Sequence, residues 1–120
     1  MIPKNRVTGP WFKIVEETAD GGIRTLFHGV GGSRLLEREK WLGAEEKTVR
    51  DAALGDEYLS GWHVFDSLCK CREYLKRFKS LRGKLIVRCY ARHVRRKGER
   101  SDAYLARHIR ILGEEGDCRV

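Results

Sequence analysis

The segment DSLCKCREYLKRFK, residues 66–79, constrains the fold more than any other stretch of this chain. Leu68, Cys71, Tyr74, Leu75 and Phe78 recur at helical i, i+3, i+4 spacing and make one apolar stripe. Asp66 and Ser67 are good N-cap types, and Arg82-Gly83 breaks the helix. Such a stripe must be buried against something. KLIVRCYARHV (84–94) follows at once and alternates like a strand, with Leu85, Val87, Cys89 and Ala91 on one face and Arg88, Tyr90 and Arg92 on the other. A helix laid on a sheet is the expected arrangement.

The remaining chain reads mostly as short strands and turns. WFKIVE (11–16) is a half-buried strand, Ala19-Asp20-Gly21-Gly22 a turn, and IRTLFHGV (23–30) a second strand closing an antiparallel hairpin. A helix is expected near 37–48, although Gly43 interrupts it, and a loop over 51–57. YLSGWHVF (58–65) is rich in aromatic and β-branched residues and reads as a strand, with Gly61 marking a bulge or a close backbone approach. RRKGERSD (95–102) is a charged turn. The second half of 103–112 is a strand suited to pair with 84–94. Trp11, Trp41 and Trp62 are expected as core or partly buried anchors. The fold class expected is α+β: a small mixed or antiparallel sheet with one main amphipathic helix (66–79) packed on one face. Residues 1–112 would form a single domain and 113–120 a flexible tail.

A length of 120 residues fits one domain. No run approaches the roughly 18 apolar residues of a membrane span, and the first residues lack a secretory apolar stretch. Cytoplasmic location, no membrane partner and reduced thiols at Cys69, Cys71, Cys89 and Cys118 are therefore expected. Cys69 and Cys71 point to different sides of a helix, which argues against a zinc clamp; no metal and no cofactor is expected.

The formal charge of +8 is unevenly spread. Residues 1–65 hold 9 Lys/Arg against 10 Asp/Glu, and residues 66–120 hold 16 against 7. Between 70 and 100 there are 13 basic residues and only two acidic ones, Glu73 and Glu99. A field of that sign favours polyanions. Arg72, Lys76 and Lys79 on the helix, Arg82 and Lys84 in the turn, Arg88 and Arg92 on the strand, and Arg95, Arg96 and Lys97 beyond it would make one basic band for phosphate contacts. Tyr90, interleaved among them, is either a base-stacking residue or a structural sheet residue. No zinc finger, RNA-recognition signature or helix-turn-helix pattern accompanies the band.

LFHGV (26–30), YLSGWHVF (58–65) and Tyr74 together resemble ADP-ribosyltransferase-like folds over roughly residues 24–78. The resemblance implies that His28 and Gly29 touch a nucleotide ribose, that Tyr58 and Ser60 line the same pocket, and that Tyr74 flanks it. The late strand of the family carries a Glu or other polar residue facing the pocket; here that strand reads RHIRIL, and Glu114 and Glu115 fall beyond it. Separately, the run Gly29 to Arg34 is suited to cradle an anion through backbone N–H groups and Arg34, or to be a plain turn.

Three functions follow in order. The first is a non-enzymatic nucleic-acid-binding protein, of a small basic style common in phage and mobile elements. The second is an ADP-ribosyltransferase-like nucleotide-binding enzyme. The third is an inhibitor or interaction module docking on an acidic or nucleic-acid-binding partner protein.

Overall fold

Period-two burial runs through the chain, and it builds a sheet rather than a helix–sheet sandwich. The computed structural model describes residues 6–26, 34–45, 47–50, 57–98 and 101–119, the side chains of Val49 and Tyr58 excepted. Within these, the strands are β1 (Thr8–Glu17), β2 (Ile23–Thr25), β3 (Leu35–Leu36), β4 (Trp41–Gly43), β5 (Thr48–Arg50), β6 (Glu57–Leu59), β7 (Trp62–Val64), β8 (Lys84–Arg96), β9 (Tyr104–Ile111) and β10 (Cys118–Arg119). The α-helix α1 covers Leu68–Leu75, and a 3-10 turn covers Glu114–Gly116.

The sheet order is β3-β2-β1-β8-β9-β4, with β10 added to β8 and β7 added to β9. All these pairings are antiparallel. The sheet then curls until its ends meet. Phe12 and Phe65 exchange backbone hydrogen bonds of 2.9 and 2.7 Å, so the path β1–β8–β9–β7 returns to β1. A parallel bridge from Arg38 to Ile111 ties the other end. The result is a nearly closed antiparallel barrel. β5 and β6 form a separate two-stranded ribbon.

Closure creates an inside. Val15 of β1, Leu85, Val87, Cys89 and Ala91 of β8, and Ile109 and Ile111 of β9 fill it together with Ile23, Leu36, Trp62 and Val64. Each large apolar side chain buried there contributes about 1.5–3 kcal/mol. A smaller apolar layer lies on the outer surface, where Ile14 and Ile86 pack with Phe65, Cys71 and Leu75. This layer is where α1 sits. At His93 (φ 53°) the strand kinks. Ala91 and Val94 both face the inside on either side of it, as do Ile109 and Ala106 on the paired strand.

The expected α+β sandwich is therefore corrected to a mostly β barrel with one short helix. The physical reason is length and closure: α1 has eight residues and covers one patch, whereas the dominant core is enclosed by the sheet itself. The helix is capped as anticipated, with the Ser67 hydroxyl accepting from the Lys70 N–H. It stops before residue 79 because the bonds tighten to i→i−3 at Lys76, Arg77 and Phe78. The helix expected near 37–48 is absent. Trp41–Gly43 pairs with β9 instead, and Thr48 opens β5. The strand expected over 58–65 is two short strands, broken where Gly61 approaches the Ala106 carbonyl so closely that a Cβ would stand 3.0 Å from its oxygen. The hairpin of β1 and β2 and the pairing of β8 with β9 match the sequence reading. Residues 113–119, read from sequence as part of a tail, carry the 3-10 turn and β10, and Asp117 makes a two-bond ion pair with Arg38 at 2.7 and 3.0 Å. No helix among the described residues is long and apolar enough to cross a membrane.

Candidate nucleic-acid interface

The outer face of β8 is set by the same alternation that fills the barrel. With Leu85, Val87, Cys89 and Ala91 inside, Lys84, Ile86, Arg88, Tyr90 and Arg92 must point out. Ile86 is covered by α1. Two residues further on the cover ends, and Arg88 and Tyr90 are exposed, Tyr90 by 38%. Arg88, Tyr90 and Arg92 thus follow one another at a two-residue repeat of about 6.6 Å.

Register extends this row sideways. Tyr90 lies opposite Arg110, which lies opposite Trp41. Arg92 lies opposite His108, which lies opposite Gly43. The Arg92 guanidinium stacks 4.1 Å from the centre of the Trp41 ring. Arg110 is paired with Glu39 at 3.1 Å. The Nε atoms of Arg92 and Arg110 are buried and meet no acceptor among the described residues.

The sequence-derived basic band is divided by this architecture. Arg72, Lys76, Lys79, Arg82 and Lys84 gather at the α1 end of the molecule. Arg95, Arg96 and Lys97 stand at the far end of β8, roughly 40 Å along a strand of thirteen residues. Arg88 and Arg92 lie between. Arg95 donates to the backbone carbonyls of Leu59 and Ser60, tying the β5–β6 ribbon to the barrel. Arg96 sits 5.9 Å from the Tyr104 ring and Lys84 5.1 Å from the Phe78 ring. Lys76 is paired with Glu73 and Lys70 with Asp66. Arg72, Lys79, Arg82, Lys84, Arg88, Arg92, Arg95 and Arg96 make no ion pair with a carboxylate among the described residues. Arg72 and Lys76 also rim a shallow cleft of about 410 Å³ floored by Leu75 and Leu81.

Residues singled out by the ADP-ribosyltransferase-like resemblance fare differently. His28 and Gly29 lie outside the described residues, as does the Tyr58 side chain. The Ser60 hydroxyl is engaged locally, donating to the Glu45 carbonyl at 2.7 Å and accepting from the Lys47 N–H at 2.9 Å. Tyr74 packs between Phe65 and Phe78 in the α1 layer. Arg34 donates to the Gly43 carbonyl at 2.7 Å and lies 5.0 Å from the Trp62 ring.

The sequence reading missed Trp41, His108 and Arg110. Arg110 carried a usable signal, standing between Ile109 and Ile111 and hence on the opposite face. Trp41 did not, because its placement depends on pairing with β9. The titratable groups with large shifts lie in the interior. Burial lowers the Lys13 pKa to about 8 and raises Cys71 and Cys89 to about 12. Among the described residues no cluster of His, Cys, Asp or Glu is arranged to hold a metal. Comparison with protein-family models, curated proteins and solved structures finds no match.

Proposed function

We propose that this protein is a small, non-enzymatic nucleic-acid-binding module that works in the cytoplasm, where an exposed thiol such as Cys69 stays reduced. One observation carries the reading: Arg88 and Arg92, which have no carboxylate partner among the described residues, flank the exposed Tyr90 on a face of β8 that α1 leaves open. Guanidinium groups in that position meet phosphate oxygens through charge-assisted, forked hydrogen bonds. Lys79, Arg82 and Lys84 at one end of β8 and Arg95 and Arg96 at the other, in no ion pair among the described residues, add a longer-range field that draws a polyanion to the surface.

The test is a fluorescence-anisotropy panel of single- and double-stranded DNA and RNA at two salt concentrations. Binding should weaken steeply with salt. The double charge reversal Arg88→Glu/Arg92→Glu should weaken it at least tenfold and lower the magnitude of the salt slope by about 1.4–1.8, with the circular-dichroism spectrum unchanged. Lack of binding to every nucleic acid at low salt, or an unaffected double variant, overturns the proposal. Equal competition by poly-glutamate also overturns it and moves the assignment to an acidic partner protein.

A further inference from the structure

The bed beneath Tyr90 is unusual. The β1–β8 register steps by one residue between Thr8↔Ala91 and Trp11↔Cys89, so Gly9 and Pro10 together oppose Tyr90. This is a β-bulge, a device that re-aims the side chain opposite it. Gly9 has φ +145°, and a Cβ on it would stand 2.8 Å from Cδ1 of Tyr90 and 3.0 Å from the Cys89 carbonyl oxygen. Only a glycine lets the ring come down onto the backbone there. The ring rests on the bulge yet stays 38% exposed. Cations precede and follow it at the two-residue repeat, and Arg110 stands beside it across the ladder.

From this we infer that the module's substrate class is single-stranded nucleic acid, with an unpaired base stacked on Tyr90 and its flanking phosphates held by Arg88 and Arg92. The inference rests on the nucleic-acid reading above and narrows it. A double helix hides its base faces and offers only phosphates to this surface, so an exposed ring between two cations adds nothing to duplex binding. A single strand presents both a backbone charge and a free π-face, and the row Arg88-Tyr90-Arg92 supplies a partner for each. Because every base has such a face, the contact is tolerant of sequence. Its chemistry is shared by DNA and RNA.

The experiment uses the full chain with labelled oligo-dT and oligo-U and with a blunt DNA duplex of matched charge, at one fixed salt. Wild type should bind either single strand at least tenfold more tightly than the duplex. Tyr90→Leu keeps an apolar cover over Gly9 without the π-face, and should lose about tenfold on single strands. It should leave duplex affinity and the salt slope unchanged, while Tyr90→Phe retains wild-type binding. Equal affinity of wild type for duplex and single strand, or a Tyr90→Leu variant that binds single strands as wild type does, overturns the stacking inference and leaves the nucleic-acid reading standing. Absence of binding to all three probes overturns both. A preference for oligo-dT or for oligo-U assigns the strand to DNA or RNA.

Discussion

Lys13 belongs to β1 and carries the one buried charged side chain among the described residues. Its Nζ donates to the His63 carbonyl at 3.0 Å and lies 5.6 Å from the Trp62 ring, with no carboxylate in ion-pair range among the described residues. Burial removes water that an ammonium needs, so the folded state lowers its pKa from 10.5 to about 8. Below pH 8 the group is charged in both states, and folding bears the full desolvation cost. Between about 8 and 10.5 the unfolded chain holds a proton that the folded chain has released, so stability climbs by about 1.4 kcal/mol per pH unit. The complete gain is about 3 kcal/mol. Cys71 and Cys89 act in the opposite sense. Their thiols are raised from 9.0 to about 12, mainly by burial, so above pH 9 the unfolded chain loses protons that the folded chain keeps, and stability falls. The two effects together place a maximum near pH 9. Lys13→Met keeps the apolar stem and removes the ammonium. Allowing about 1 kcal/mol for the lost hydrogen bond, it should stabilise the fold by about 2 kcal/mol at pH 7 and flatten the rise between pH 8 and 9. Urea unfolding followed by tryptophan fluorescence from pH 6.5 to 10 measures both. A variant no more stable than wild type at pH 7, with the same climb toward pH 9, would refute the assignment of that slope to Lys13.

Two further substitutions test the architecture. Gly9→Ala puts a methyl group against Tyr90 and the Cys89 carbonyl at a strained φ, and should lower stability by about 2 kcal/mol in the same assay; a neutral result would mean that the bulge does not hold Tyr90. Asp117→Ala leaves the Arg38 guanidinium with the Leu112 carbonyl alone among the described residues and frees β10, which should cost about 2 kcal/mol. It should also speed amide exchange at Cys118 and Arg119, and unchanged exchange there would show that the ion pair does not anchor the strand.

What the sequence disclosed was local, and what it concealed was long-range. The alternation in KLIVRCYARHV and the Ser67 cap depend on near neighbours, and each appears where the residues put it. The stretch 37–48 misled because Leu, Glu, Arg and Lys favour a helix when nothing else intervenes, while pairing of Trp41 with Arg110 overrides that preference. Barrel closure through Phe12 and Phe65 left no trace, since neither residue differs from an ordinary core phenylalanine. The basic segment was plain as composition. Its division between two ends follows from the thirteen-residue length of β8, and the Gly9–Pro10 bulge that seats Tyr90 exists only once β1 is registered against β8.

That division has a measurable consequence for how much of the molecule a polyanion engages. If phosphates meet only Arg88, Arg92 and Arg110 around Tyr90, three contacts on a single strand give a salt slope of about −2. Recruiting Lys79, Arg82 and Lys84 at one end and Arg95 and Arg96 at the other raises the contacts to eight and the slope to about −6. Thirteen residues of β8 join these groups over a contour of roughly 40 Å, so the larger footprint requires an oligonucleotide long enough to reach both ends. Affinity that levels off with the shortest oligonucleotides, at a slope near −2, confines the interface to the centre of β8. A slope that steepens as the oligonucleotide lengthens assigns the ends of β8 to the same surface.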